Sequence, residues 1–120
     1  MEKSPEISIV IPLFNENESL KELIKTTQNV MDIHNYDYEI IFIDDGSTDK
    51  SWISIKEISK KNKNIFGISF SKNYGKSQAL HAGFEKAKGN FIFTLDADLQ
   101  DSPHEIPLIN KILLNENLDL

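Results

Sequence analysis

Glu39-Ile40-Ile41-Phe42-Ile43-Asp44-Asp45-Gly46-Ser47 is the stretch that decides the fold. An apolar, β-rich run is halted at once by two acids, a glycine and a serine, and Trp52, Ile55 and Ile58 then follow at helical spacing. A strand, a tight turn and a helix are the reading. Outward toward the N-terminus, Ile7-Ser8-Ile9-Val10-Ile11 precedes Leu20, Leu23, Ile24, Thr27, Val30 and Met31, one face of a second helix. Ser19 and Glu22 are spaced as a capping box for its start. Outward toward the C-terminus, Ile65 to Phe70 leads through Asn73-Tyr74-Gly75 into Ala79, Leu80, Gly83, Phe84 and Ala87, ended by Gly89-Asn90. Phe91-Ile92-Phe93-Thr94-Leu95 is the fourth strand, and Ser102-Pro103-His104-Glu105 opens a last helix with a capping box and a proline at its first position.

Four alternating units with strands apolar on both faces predict an α/β fold, a parallel sheet covered by helices and joined by right-handed crossovers. In such a sheet every loop that follows a strand emerges on one carboxyl edge, where ligands bind. That edge collects Asn15-Glu16-Asn17, Asp44 to Ser47, Lys72 to Lys76, and Asp96-Ala97-Asp98-Leu99-Gln100-Asp101. The opposite ends, around His34-Asn35, Lys60 to Asn64 and Lys88 to Asn90, read as solvating residues alone.

The chain has 120 residues, 39% apolar and 27% charged, the size and composition of one globular domain. Nineteen acids against 13 bases give a net charge of −6, which argues against a nucleic-acid partner held by phosphate neutralisation. All 13 bases are lysines. The lack of cysteine excludes disulfides, thiolate metal sites and a cysteine nucleophile. The first apolar run, Ile7 to Phe14, is broken by Pro12 and too short for a signal peptide or a spanning helix, so the expectation is a cytoplasmic chain.

Asp96-x-Asp98 is the strongest local signal for chemistry. Two carboxylates two residues apart at a strand end point to one side and suit a hard cation, Mg²⁺ or Mn²⁺, with Gln100 as a further carbonyl ligand. The competing reading is a pair of acids that cap a helix or solvate a loop. Asp44, Asp45, Asp96 and Asp98 on one edge favour the cation, because such acids repel when buried together. Asp45-Gly46-Ser47 supports a turn with an N-cap, which spacing alone favours, or an acid that accepts from a base N–H or a ribose hydroxyl. Gly75-Lys76-Ser77 resembles the tail of a phosphate loop, but Phe70 stands where that loop needs glycine; Lys76 near a helix N-terminus still attracts an anion. The three histidines, His34, His81 and His104, read as surface or packing residues, and Trp52 and the phenylalanines as core.

Ile9-Val10-Ile11-Pro12-Leu13-Phe14-Asn15-Glu16, Ile43 to Asp49, Asn73-Tyr74-Gly75-Lys76 with Ala79 and Ala82-Gly83, and Asp96 to Asp101 together resemble the successive signatures of family 2 glycosyltransferases. Within that family, Ser71 to Gly83 and the Asp-Ala-Asp-Leu-Gln-Asp string most resemble the polyprenol-phosphate sugar transferases, the dolichyl-phosphate mannose synthase and bactoprenol glucosyltransferase group. The resemblance covers roughly residues 7 to 107. It implies the GT-A fold, a three-layer α/β/α arrangement around a Rossmann-like, mostly parallel sheet. It implies that Pro12, Asn15, Glu16, Asp44 or Asp45, Lys76 and Asp96 serve the nucleotide sugar, UDP- or GDP-linked, and that Asp96, Asp98 and Gln100 hold the metal. One departure is Lys72, where the family usually has arginine before Asn73; the swap loses a bidentate fork.

The implied reaction is an inverting sugar transfer from a nucleotide diphosphate, in which a cation serves as Lewis acid and template for the departing diphosphate. A polyprenyl phosphate acceptor is already anionic near neutral pH and needs little general-base help; an alcohol on a glycan would need a carboxylate. Leu118-Asp119-Leu120 reads as the start of a fifth strand, so residues 1–120 are expected to be the donor-binding half of a longer enzyme. The acceptor site and catalytic base are then expected beyond residue 120, and the full-length protein at the cytosolic face of a membrane, anchored and oligomeric. Other readings are a family 2 enzyme with a glycan acceptor, a nucleotide-binding module without catalysis, and a receiver domain. The receiver is opposed by an acidic pair that follows the second strand rather than the first.

Overall fold

A computed structural model describes residues 4–97. Its elements alternate as the sequence predicts: β1 (Ile7–Leu13), α1 (Asn17–Ile33), β2 (Tyr38–Asp44), α2 (Ser51–Lys61), β3 (Ile65–Ser69), α3 (Lys76–Lys86) and β4 (Phe91–Thr94). The strands form one parallel sheet in the order β3-β2-β1-β4. All seven residues of β1 and of β2 are buried, as central strands covered on both sides must be.

Strand alternation sorts the core into two layers. Ile7, Ile9, Ile11, Ile40 and Phe42 face α1 and α2, meeting Leu20, Leu23, Ile24, Val30 and Met31 of α1 and Ile55 of α2. Val10, Ile41 and Ile43 face α3 and pack with Ala79. The chain steps outward from β1 through β2 to β3 with its helices on one face, then returns past β1 to β4 with α3 on the other. Right-handed crossovers require that change of face when the direction reverses. Gly83 brings α3 close to the sheet, since a Cβ there would overlap Val10 and Ile43.

Three expectations are corrected. Ser19 does not cap α1: the helix begins at Asn17, and the Ser19 amide donates to the Glu16 carbonyl. Side chains from the β2–α2 loop and the first residue of α2 take the capping role instead, so the local pattern lost to a tertiary one. Nor are the phenylalanines uniformly core. Phe42 is buried, whereas Phe14, just past the end of β1, and Phe84, on the outer side of α3, are each 44% exposed.

The amino edge is also more than solvating residues. Ser8 and Glu39 are register partners on the α3 face, and both are buried. Ser8 Oγ donates to Glu39 Oε2 (2.6 Å), which also accepts from the Lys88 amide (2.7 Å), while the Gly89 amide donates to Ser8 Oγ (2.8 Å). A cavity of about 290 Å³ opens beside them, lined in part by Asp37, Lys63, Lys86 and Lys88. Asp98, Gln100, His104, the last helix and the fifth strand lie outside the described residues. Among the described residues no helix is long and apolar enough to cross a membrane.

Candidate functional site

Strand order reverses between β1 and β4, and their carboxyl ends therefore diverge into a crevice. A cavity of about 160 Å³ lies there, lined by Pro12, Leu13, Phe14, Asp45, Lys76 and Asp96. Pro12 and Leu13 come from the end of β1, Asp45 from just past β2, Lys76 from the first position of α3, and Asp96 from just past β4. Four separate elements thus contribute to one small space.

The loops around it are cross-tied by hydrogen bonds between side chains and backbone. Asn15 adopts a left-handed conformation (φ 53°), which asparagine tolerates better than most residues. Its amide donates to Ser47 Oγ (2.8 Å), and its Oδ1 accepts from the amides of Thr48 (2.8 Å) and Asp49 (3.1 Å). The Glu16 amide donates to Ser51 Oγ (3.1 Å) and the Asn17 amide to Asp49 Oδ2 (3.3 Å), so the first amides of α1 are satisfied from the β2–α2 loop. Asn15 and Glu16 therefore set the loop next to the cavity, and neither lines it.

Asp44 and Asp45 follow each other but face opposite layers. Asp44 Oδ1 accepts from the Ser47 amide (2.8 Å) and closes the turn, away from the cavity. Asp45 faces α3: its Oδ1 accepts from the Tyr74 amide (2.7 Å) and its Oδ2 from the Gly75 amide (3.1 Å), a carboxylate at the positive end of a helix. Each oxygen keeps a second lone pair for another donor. Gly46 (φ 78°) allows the two loops to touch, because a Cβ there would run into the Lys72–Asn73 backbone. Lys72 places its ammonium 5.2 Å from the centroid of the Tyr74 ring.

These bonds give three of the four acids of the repulsion argument their own partners, and the fourth, Asp98, lies outside the described residues. Asp44 and Asp45, although buried, accept hydrogen bonds from backbone amides, and Lys76 Nζ lies 2.8 Å from Asp96 Oδ1. Among the described residues no group of three or more His, Cys, Asp or Glu side chains is arranged to hold a metal ion. Asp96 nonetheless suits one as a single ligand: it is a hard oxygen donor at the cavity, with a cation already against it. The other expected ligands, Asp98 and Gln100, are outside the described residues.

The described histidines stand apart. His34 closes α1 and stacks on Tyr36 (6.2 Å between centroids), and His81 pairs with Glu85 along α3 (3.0 Å). Phe14 is a cavity residue that sequence reasoning placed in the core. Its signal was present, since it falls after the last strand residue and beside the left-handed Asn15, on the edge where ligands bind.

Fold and crevice together define a Rossmann-like α/β domain of the GT-A kind. The chain belongs to glycosyl transferase family 2, whose family model matches residues 8–120. Among solved structures it is similar to the mannosyltransferase PcManGT from Pyrobaculum calidifontis in complex with GDP-Man and Mn²⁺, with a TM-score of 0.76 and 20% identity over 92% of this chain and 33% of that one. It is likewise similar to residues 1–349 of S. aureus TarS in complex with UDP-GlcNAc, with a TM-score of 0.73 and 21% identity over 92% of this chain and 31% of that one. The chain thus spans about a third of the length of these two structures.

Proposed function

We propose that residues 1–120 form one domain, the donor-binding half of an inverting, metal-dependent glycosyltransferase that moves a sugar from a UDP- or GDP-linked donor to a polyprenyl phosphate. The observation that carries this reading is the cavity at the β1/β4 junction with the Lys76–Asp96 pair at its wall, in a member of family 2. The mannosyltransferase and TarS complexes, with their nucleotide sugars, support the donor class. The polyprenyl acceptor rests on the resemblance of Ser71 to Gly83 and of Asp96 to Asp101 to that subgroup, and with it the setting at the cytosolic face of a membrane.

In this reading Pro12 and Leu13 form the apolar floor of the crevice, and the exposed ring of Phe14 offers a face for the base. Asp45 accepts from the base or ribose through its spare lone pairs, while Asn15 and Glu16 fix the wall through the Ser47–Ser51 loop. Lys76 offers positive charge to the diphosphate, and Asp96, with Asp98 and Gln100, would hold Mg²⁺ or Mn²⁺. The cation would supply Lewis acidity for the leaving diphosphate. The acceptor phosphate oxygen bonds to the anomeric carbon from the face opposite the leaving group, the bond from that carbon to the diphosphate oxygen breaks, and the nucleoside diphosphate departs. A ready-made oxyanion needs no base from this chain.

Calorimetric titration with UDP, GDP and their sugars, with and without Mn²⁺, tests the reading on the wild-type chain and on Asp98→Asn. The expected result is metal-dependent nucleotide binding that weakens at least tenfold in the variant, about one ligand's share of the affinity. Binding indifferent to both metal and substitution would remove Asp98 from the site.

A further inference from the structure

The cavity at the amino edge, about 290 Å³, lies at the opposite end of the sheet from the β1/β4 crevice. Its floor is on the α3 face. Ile41 and Phe66 are register partners there, and Glu39 and Asn64, each two residues earlier, project to the same side. Glu39 is 5% exposed, and one of its oxygens is engaged: Oε2 accepts from Ser8 and Lys88, while Oε1 meets no donor among the described residues. Thr27 Oγ1 is the one side-chain polar atom sealed from solvent without a partner among the described residues, so Glu39 Oε1 opens onto the cavity that its residue lines. Asn64 commits its amide nitrogen to the Tyr38 carbonyl (3.2 Å), which leaves Oδ1 as a second acceptor.

Around these acceptors stand the side chains of Lys63, Lys86 and Lys88, with Asp37 exposed beside them. Among the described residues none of the three lysines forms an ion pair, and Lys86 Nζ instead lies 5.1 Å from the centroid of the Phe66 ring. A buried carboxylate and three cations thus share one hollow without pairing. A ligand that joins them must bring hydrogen-bond donors at one end and negative charge at the other.

We propose that this cavity is a second ligand site, which takes a small sugar phosphate: hydroxyls donate to Glu39 Oε1 and Asn64 Oδ1, and the phosphate meets Lys63, Lys86 and Lys88. A polyol suits the floor because its hydroxyls donate in several directions. The volume, at the small end of ligand pockets, suits one sugar ring. This site stands independently of the donor reading at the carboxyl edge.

The test follows backbone amide signals of the full chain by nuclear magnetic resonance during titration with glucose 1-phosphate, inorganic phosphate or glucose. Glucose 1-phosphate is expected to shift the Lys88 and Gly89 amides and to bind at least about tenfold tighter than phosphate, the scale of one hydrogen bond to a charged group. Replacing two exposed lysines together, Lys63→Gln with Lys86→Gln, is expected to weaken it about fivefold. Glu39→Gln keeps an acceptor for Ser8 and Lys88 and is expected to bind glucose 1-phosphate no better than phosphate. Equal affinity for glucose 1-phosphate and phosphate in wild type, shifts confined to Tyr74 and Gly75 at the carboxyl edge, or unchanged affinity in the double lysine variant would each overturn the inference. None of these three outcomes depends on Glu39→Gln folding.

Discussion

Asp49 carries one negative charge at the start of two helices. Its Oδ2 accepts from the Asn17 amide at the first position of α1 (3.3 Å), and its Oδ1 from the Ser51 amide at the first position of α2 (2.9 Å). Both helix dipoles favour an anion there. Desolvation raises the Asp49 carboxyl, but hydrogen bonds from the Ser51 hydroxyl and from the backbone of Ser51, Asn17 and Asp49 itself outweigh it, and the group sits below the usual carboxylate range. A carboxyl held low in the folded state leaves the unfolded chain with more bound protons in acid. Its contribution to stability is therefore full above the ordinary carboxylate range and is lost as pH falls through the folded value. Asp49 is exposed, so solvent screening keeps the contribution under about 1 kcal/mol. Urea unfolding of wild type and Asp49→Asn should show wild type more stable at pH 7, with the gap closing as the pH drops below about 4.

At the scale of the element, α3 is the helix whose fit is tightest. Alanine in place of Gly83 would favour the helix by about 1 kcal/mol on propensity, yet its Cβ would meet Val10 and Ile43 in the layer beneath. Overpacking of a buried seam costs about 1–3 kcal/mol, so Gly83→Ala is expected to lower stability by up to about 2 kcal/mol in a denaturant titration. A rise in stability would show that α3 can lift without loss. This helix also shows what the sequence reveals and what it conceals. Its apolar spacing marks Ala79 and Gly83 as inward residues, and both are buried. The six apolar-face residues expected of α1, from Leu20 to Met31, are all buried as well. Periodicity is legible because it is local. The start of α1 is not, because its amides are satisfied by Asp49 of the β2–α2 loop and Ser51 at the start of α2. The buried Ser8–Glu39 pair escaped for the same reason: a serine and an acid near strand starts read as polar until two strands and the α3–β4 connection enclose them. In the site, the edge with Asp45 and Asp96 was legible, whereas the use of Asp44 to close the β2–α2 turn, away from the cavity, was not.

For the molecule as a whole, the carboxyl edge is built unevenly. The β1–α1, β2–α2 and β3–α3 loops are joined through Asn15, Asp45 and Asp49 into one block, while a side-chain ion pair, Lys76 to Asp96, spans from that block to the end of β4. Loop amides in the block should therefore resist exchange as strand amides do. Hydrogen-exchange mass spectrometry is expected to show slow exchange for peptides covering Asn15, Thr48 and Tyr74, and faster exchange for exposed segments such as Lys60–Lys61. Equal rates would mean that the three loops open independently.

The strand order has a consequence in time. Ile7 pairs with Tyr38 on one side and with Phe91 on the other, so the second pairing closes a much longer stretch of chain. Longer closures cost more entropy and reward it later. As the chain leaves the ribosome, β1, β2 and β3 can pair before β4 has been made. Among the described strands, the crevice between β1 and β4 is then the last part to come into being, assembled on a scaffold that already stands.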